Sequence, residues 1–128
     1  MSSTVALRSS GHRVISCKPD SLFRALADPT RVRIVNVLAA GELCVCDLVG
    51  LLGLPQPTVS RHLAVLREGG IVRTRRRGRY AHYRLAEPGS ALHMSLLRAV
   101  RRDFDAPALT GERSRAFERV AERRRNPC

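Results

Sequence analysis

The sequence contains one lysine, Lys18, no tryptophan, and eleven acidic residues against twenty-three basic ones. With aromatics at only 4%, a stacking surface for single-stranded nucleic acid is poorly supplied. No apolar run approaches the roughly 20 residues of a membrane-spanning helix, and residues 1–18 lack the apolar segment of a secretory signal. The chain is therefore expected in the cytoplasm, without a membrane partner. In that reducing compartment its four cysteines, Cys17, Cys44, Cys46 and Cys128, are expected to be thiols rather than structural disulfides. A length of 128 residues suits one domain and disfavours a two-domain enzyme. A hydrophobic fraction of 44% against 27% charged can bury a core, which excludes a wholly disordered chain.

What is abundant is arginine. All basic residues except Lys18 are arginines, and the net charge is +12. Guanidinium forks fit phosphate oxygens and base edges, so an excess of this size in a small domain points to nucleic acid before an anionic membrane. Given the shortage of aromatics, duplex DNA is the expected partner.

Residues 1–19 are Ser-rich, of mixed charge and without sustained period, and read as a flexible N-terminal arm. From Leu22 to Ala27 apolar residues return at helical spacing, with Asp20 or Ser21 as cap, and Asp28-Pro29 ends that segment and starts the next. Asp28 suits an N-cap with Pro29 at the first helical position, followed by an apolar stripe through Val32, Ile34, Val35 and Leu38. Residues 42–53, ELCVCDLVGLLG, read as a short apolar helix. After the LPQP turn, Val59, Leu63 and Leu66 mark a second helix, which Gly69-Gly70 stops. Two short helices across such a turn make a helix-turn-helix. IVRTRR and RYAHYRL then flank Arg77-Gly78 with alternating patterns, which predicts a β-hairpin wing. Leu92, Leu96 and Val100 predict a helix over 90–104, capped by Ser90, for packing or dimerisation. Residues 105–128 read as a charged C-terminal tail with an amphipathic turn at Phe117, Val120 and Ala121. The expected fold is mainly α with a small β-hairpin: a winged helix-turn-helix over residues 20–104.

A B-form major groove admits one helix, whose first turns reach base edges while flanking groups hold phosphates. Here Gln56 can bond an adenine edge, and Thr58 can offer a methyl or a hydroxyl. Ser60, Arg61 and His62 can hold backbone or bases. The wing adds Arg73, Arg75, Arg76, Arg77 and Arg79, with no acid between Glu68 and Glu87, a density that is costly unless a polyanion faces it. Cys44 and Cys46 form a Cys-x-Cys, and thiolates are the ligands that soft metals and metalloids prefer. On a regular helix residues i and i+2 lie about 200° apart, so both sulfurs can meet one ion only if the first turn is distorted.

These residues resemble the ArsR/SmtB family of metal-responsive winged-helix repressors over about residues 20–100, with ELCVCDL and PTVSRHLAVLREGGIV the most specific stretches. The resemblance implies a homodimer built on its first and last helices, bound to palindromic operator DNA without a required cofactor and released by an inducer. It places Cys44 and Cys46 at the family's thiolate pair, and Thr58, Ser60, Arg61 and His62 on its recognition helix. For this type the inducer implied is As(III) or Sb(III), with another soft metal ion as the alternative. Three departures matter. The usual third cysteine is Val49, so a third sulfur must come from elsewhere, and Cys17 of the arm is the expected donor ahead of the terminal Cys128. The usual capping Ser of the recognition helix is Pro55. The paired ligands of zinc-sensing members are reduced to His93, expected as a packing or surface residue.

Three other readings compete. A catalytic redox pair would normally be Cys-x-x-Cys beside a βαβ pattern, and neither is present, so the chain is not expected to be an enzyme. A DNA-coating protein without a ligand would bind regardless of sequence. Cys44 and Cys46 could also serve a redox-responsive repressor, and a repressor of the same design could answer Cd, Pb or Hg.

Overall fold

The computed structural model describes residues 19–102 and 107–126. Six helices and three strands follow in the order α1 (Pro19–Leu26), α2 (Pro29–Leu38), β1 (Leu43–Cys44), α3 (Val45–Leu52), α4 (Gln56–Glu68), β2 (Val72–Arg77), β3 (Tyr80–Leu85), α5 (Ala91–Arg102) and α6 (Pro107–Arg125). This is the expected winged helix-turn-helix, with two additions. The wing has a third strand, and residues 107–125, read as part of a tail, form a 19-residue helix.

Several local signals act as the sequence suggests. Asp28 is extended, and its carboxylate accepts from the backbone N–H of Thr30 at 2.8 Å and of Arg31 at 3.3 Å, with Pro29 starting α2. Such a cap contributes about 1 kcal/mol. Those backbone N–H groups outweigh the desolvation that would raise the Asp28 pKa, and its carboxyl is held below the ordinary value. Ser90 caps α5 through its hydroxyl, which accepts from His93 N–H at 3.1 Å. Pro55 stands at the cap of α4 without a side-chain hydrogen bond, and the helix nonetheless begins at Gln56.

The core lies where α2, α3 and α4 meet: Ile34, Val35, Leu48, Val59, Leu63, Leu66 and Ile71 are all fully buried. The sheet is antiparallel in the order β1-β3-β2. Thr74 faces Tyr83, Arg75 faces His82, and Arg77 faces Tyr80 across β2 and β3. Gly78, in the turn between them, has φ 65°, left-handed backbone where a side chain is strained.

The apolar period of residues 42–53 suggests a helix throughout, but Leu43 and Cys44 instead pair with Tyr83 and His82 of β3. Cys44 is extended (φ −81°, ψ 164°) and is the cap residue of α3, not part of it. Strand pairing satisfies backbone groups that the first turn of a helix would leave without intrahelical partners.

The α6 helix buries little apolar surface, chiefly Leu109, Ala116 and Val120, and docks on α2 and α3 through polar pairs. Arg33 Nε donates to Glu112 Oε2 at 3.0 Å. Asn36, fully buried in α2, donates from Nδ2 to the Leu109 carbonyl at 2.7 Å and accepts at Oδ1 from Arg113 Nε at 2.8 Å. The fit is close at Gly41 (φ 145°), where an added Cβ would lie 3.0 Å from Val120 Cγ1.

Candidate functional site

The change from helix to strand at Cys44 decides the geometry of the thiols. Because Cys44 caps α3 and Cys46 lies in its first turn, the separation imposed by a regular helix does not apply. One ligand atom from each of Cys44, Cys46 and Asp47 lies within 4.8 Å of the others. The expected distortion of a helical turn is therefore unnecessary. Cys44 is buried and Cys46 exposed, so the site has one anchored sulfur and one open to solvent. Cys17 and Cys128 lie outside the described residues.

Asp47 was not among the residues singled out from the sequence, where a lone acid in an apolar segment gives no signal of its own. It is 1% exposed. The Cys44 thiol donates to its Oδ2 at 3.2 Å. From α6, Arg119 donates to Oδ1 at 2.9 Å, and Arg123 reaches both oxygens, its Nη2 at 2.9 Å from Oδ1 and its Nε at 3.1 Å from Oδ2. Burial alone would raise the Asp47 pKa, but the hydrogen bonds from Arg123, Arg119 and Cys44 outweigh it and hold the carboxyl below its ordinary value. The carboxylate thus joins the thiol pair to the C-terminal helix.

The ladder joins the same site to the wing. Cys44, His82 and Arg75 are consecutive partners across β1, β3 and β2, and residues that face one another across a ladder share a face of the sheet. That face borders a cleft of about 550 Å³ between the wing and the end of α6. Glu42 stands at its edge. It accepts from Arg75 Nε at 3.0 Å, with Arg77 at 3.7 Å and His82 Nδ1 at 3.8 Å. Desolvation would raise the Glu42 pKa, but Arg75 chiefly holds it below the usual value. An acid from outside the hairpin therefore opposes part of the wing, which inspection of the hairpin alone does not reveal.

Gln56 and Arg61 are exposed at the start of α4, and Thr58 and Ser60 are half-buried there. His62, also expected to hold backbone or bases, is buried, and its Nδ1 accepts from Arg31 Nη1 at 3.1 Å. It locks α4 against α2. Arg75, Arg76, Arg77 and Arg79 are all exposed on the wing, and Arg76 also donates to the Arg79 carbonyl at 3.3 Å. His93 is buried, with Nδ1 accepting from Gly89 N–H, and burial pushes its pKa down. This is a packing role.

The sequence profile of the bacterial regulatory protein arsR family matches residues 28–74, from the α2 cap into β2. The transcriptional repressor BigR from Xylella fastidiosa is 40% identical, with a TM-score of 0.58 over 68% of this chain and 86% of that one. The chain belongs to the ArsR family.

Among other ArsR-family likenesses, the AntR antimony-specific transcriptional repressor is 31% identical, with a TM-score of 0.53 over 66% of this chain and 89% of that one. The arsenical resistance operon repressor of Escherichia coli (strain K12) is 54% identical over 69 residues, which are 53% of this chain and 59% of the relative. These relatives are repressors, not enzymes. In this ArsR-family chain Val49 packs half-buried against the core, and among the described residues the group that lies beside the thiol pair is the Asp47 carboxylate. Two sulfurs and one oxygen fit a soft metal or metalloid with room for a further ligand. No helix among the described residues is long and apolar enough to cross a membrane.

Proposed function

We propose that the chain is a cytoplasmic, metalloid-responsive transcriptional repressor that binds operator DNA as a homodimer and lets go when As(III) or Sb(III) occupies Cys44 and Cys46. The observation that carries this reading is the convergence of Cys44, Cys46 and Asp47 at the junction of β1 and α3, one element from the wing and one from the recognition helix. Cys17 of the N-terminal arm supplies a third sulfur in this reading. Support for a dimer comes from Phe23 on α1 and Met94 on α5, both large, apolar and exposed. On the DNA, Gln56, Thr58, Ser60 and Arg61 read or hold the major groove, and Arg75, Arg76, Arg77 and Arg79 grip phosphates.

The transmission is local. An inducer takes thiolates, so the Cys44 proton leaves, as water when the inducer is a metalloid hydroxide, and Asp47, held by Arg119 and Arg123, loses its hydrogen bond from Cys44 and faces a metalloid-bound sulfur instead. Cys44 is also a rung of the ladder that carries the wing, so a shift there reaches β3 directly and α4 through α3.

Titration of the purified protein with arsenite or antimonite should produce thiolate-to-metalloid charge-transfer absorption and, over the same range, release of bound operator duplex. Saturation of the absorption without any release would reject the reading. Release by peroxide with an oxidised Cys44–Cys46 pair, but not by arsenite, would transfer the site to redox sensing. A Cys17→Ser variant should bind arsenite markedly more weakly; unchanged affinity would leave Asp47 as the third donor.

Wing and recognition helix should fail differently. Replacing Arg75, Arg76 and Arg77 by Ala should weaken binding to every duplex and flatten its salt dependence, by a log–log slope of about one per lost phosphate contact. Gln56→Ala or Thr58→Ala should instead relax sequence preference, by about 1–3 kcal/mol at the base concerned. A triple wing variant with wild-type affinity would remove the wing from the DNA contact.

A further inference from the structure

No DNA contact is assigned above to the end of α6, yet it borders the same cleft as the wing. Arg77 and Gly78, where β2 passes into the hairpin turn, line the cleft from one side, and Arg123 and Arg124 line it from the other. Side chains alternate along β2, so Arg75 and Arg77 share one face of the hairpin, the one turned to Glu42, His82 and α6. The last turn of α6 therefore lies on the same side of the wing as Arg75 and Arg77.

Charge favours the same partner. The acids in the cleft are Glu42 and Asp47, against Arg75, Arg77, Arg123 and Arg124. Glu42 is matched by Arg75 and Arg77, and Asp47 by Arg123 together with Arg119. Arg124 is exposed, and its guanidinium has no hydrogen-bond or ion-pair partner among the described residues. Sites for small organic ligands are mostly apolar with a few polar groups, whereas six of the eleven residues that line this cleft are charged. The backbone that carries Arg124 is also held in place, because Arg123, one residue before it, is fixed on buried Asp47. Ordering Arg124 on a phosphate therefore costs side-chain freedom alone.

We propose that the C-terminal turn of α6 is a second DNA-backbone contact, in which Arg124 holds a phosphate of the duplex beside those held by Arg75 and Arg77 of the wing. The proposal rests on the reading of the wing as a DNA contact. It makes α6 part of the DNA-binding surface, with the contact adjacent in sequence to the Arg123 clamp on the thiol site.

The test compares full-length Arg124→Glu with Arg115→Glu, which makes the same change of charge at an exposed position of α6 outside the cleft. Affinity for a fluorescent mixed-sequence duplex is measured by anisotropy over a salt series, with Arg75→Ala/Arg76→Ala/Arg77→Ala in parallel. Arg124→Glu should bind roughly tenfold more weakly, with a salt slope flatter by about one per protomer, while Arg115→Glu stays near wild type. Circular dichroism and melting should be unchanged in both. Should Arg124→Glu disturb the helix, Arg124→Gln should show the same direction with a smaller loss. Wild-type affinity in Arg124→Glu, or a loss no greater than in Arg115→Glu, overturns the α6 contact while a weakened wing variant keeps the wing reading. If the wing variant also binds as wild type, or the unmodified protein binds no duplex, both fall.

Discussion

Cys44→Ser is expected to bind operator DNA as the wild type does and to stay bound when arsenite is added. Coupling between an inducer site and a DNA site is typically about 1–3 kcal/mol, a factor of roughly 5–150 in affinity, and the variant should lose all of it. Serine keeps a hydroxyl that can still donate to Asp47, so the α3 cap and the β1–β3 pairing survive, while a hard oxygen replaces the soft donor. Cys46→Ser should lose the response equally and at no cost in stability, because Cys46 is exposed. The coupling is reciprocal, so operator duplex should weaken arsenite binding to the unmodified protein by the same factor that arsenite weakens DNA binding. Anisotropy titrations with and without arsenite measure both directions. Normal release from DNA by either serine variant would place the sensor elsewhere.

Asp47→Ala should be the most destabilising change near the site. It strands two guanidiniums and a buried thiol donor, and it removes the only acid that ties α3 to α6 among the described residues. Breaking a fully buried ion pair costs about 3–5 kcal/mol. Arg119 and Arg123 remain roughly one-third exposed, and solvent screening lowers the expected loss to about 2–3 kcal/mol. At this chain length that is a fall of about 10 °C in melting temperature. Arg123→Ala should cost less, because Arg119 still holds the carboxylate, and the double variant should cost clearly less than the sum of the two. Additive losses in thermal melts would mean that the clamp is not a unit.

The two predictions depend on residues that differ in how far the sequence reveals them. Cys44 and Cys46 stand out by residue type and spacing alone. The role of Asp47 depends on Arg119 and Arg123, more than seventy residues along the chain, and no local pattern links them. The same applies to α6 as a whole. Its helical period is hidden by charge, and it docks through Arg33 with Glu112 and Asn36 with Arg113, pairs that exist only once α2 and α6 are side by side. His62 shows the converse. Its place on a recognition helix suggests an exposed, DNA-facing side chain, whereas the packing of α4 on α2 buries it against Arg31.

The sequence by itself determined the features that depend on neighbours a few residues apart: the Asp28-Pro29 start of α2, the two helices of the helix-turn-helix, the arginine-bearing hairpin and the excess of positive charge. Each follows from backbone capping, turn stereochemistry or the period of apolar residues, all of which act within one element. The tertiary structure alone decided that Leu43 and Cys44 form a strand, that Glu42 opposes the wing, and that Arg119 and Arg123 of α6 meet Asp47 beside the thiols. In these cases the energy comes from groups on different elements meeting in a buried place: a third strand completing a ladder, a carboxylate meeting two guanidiniums. A linear pattern contains the partners but not the distance between them.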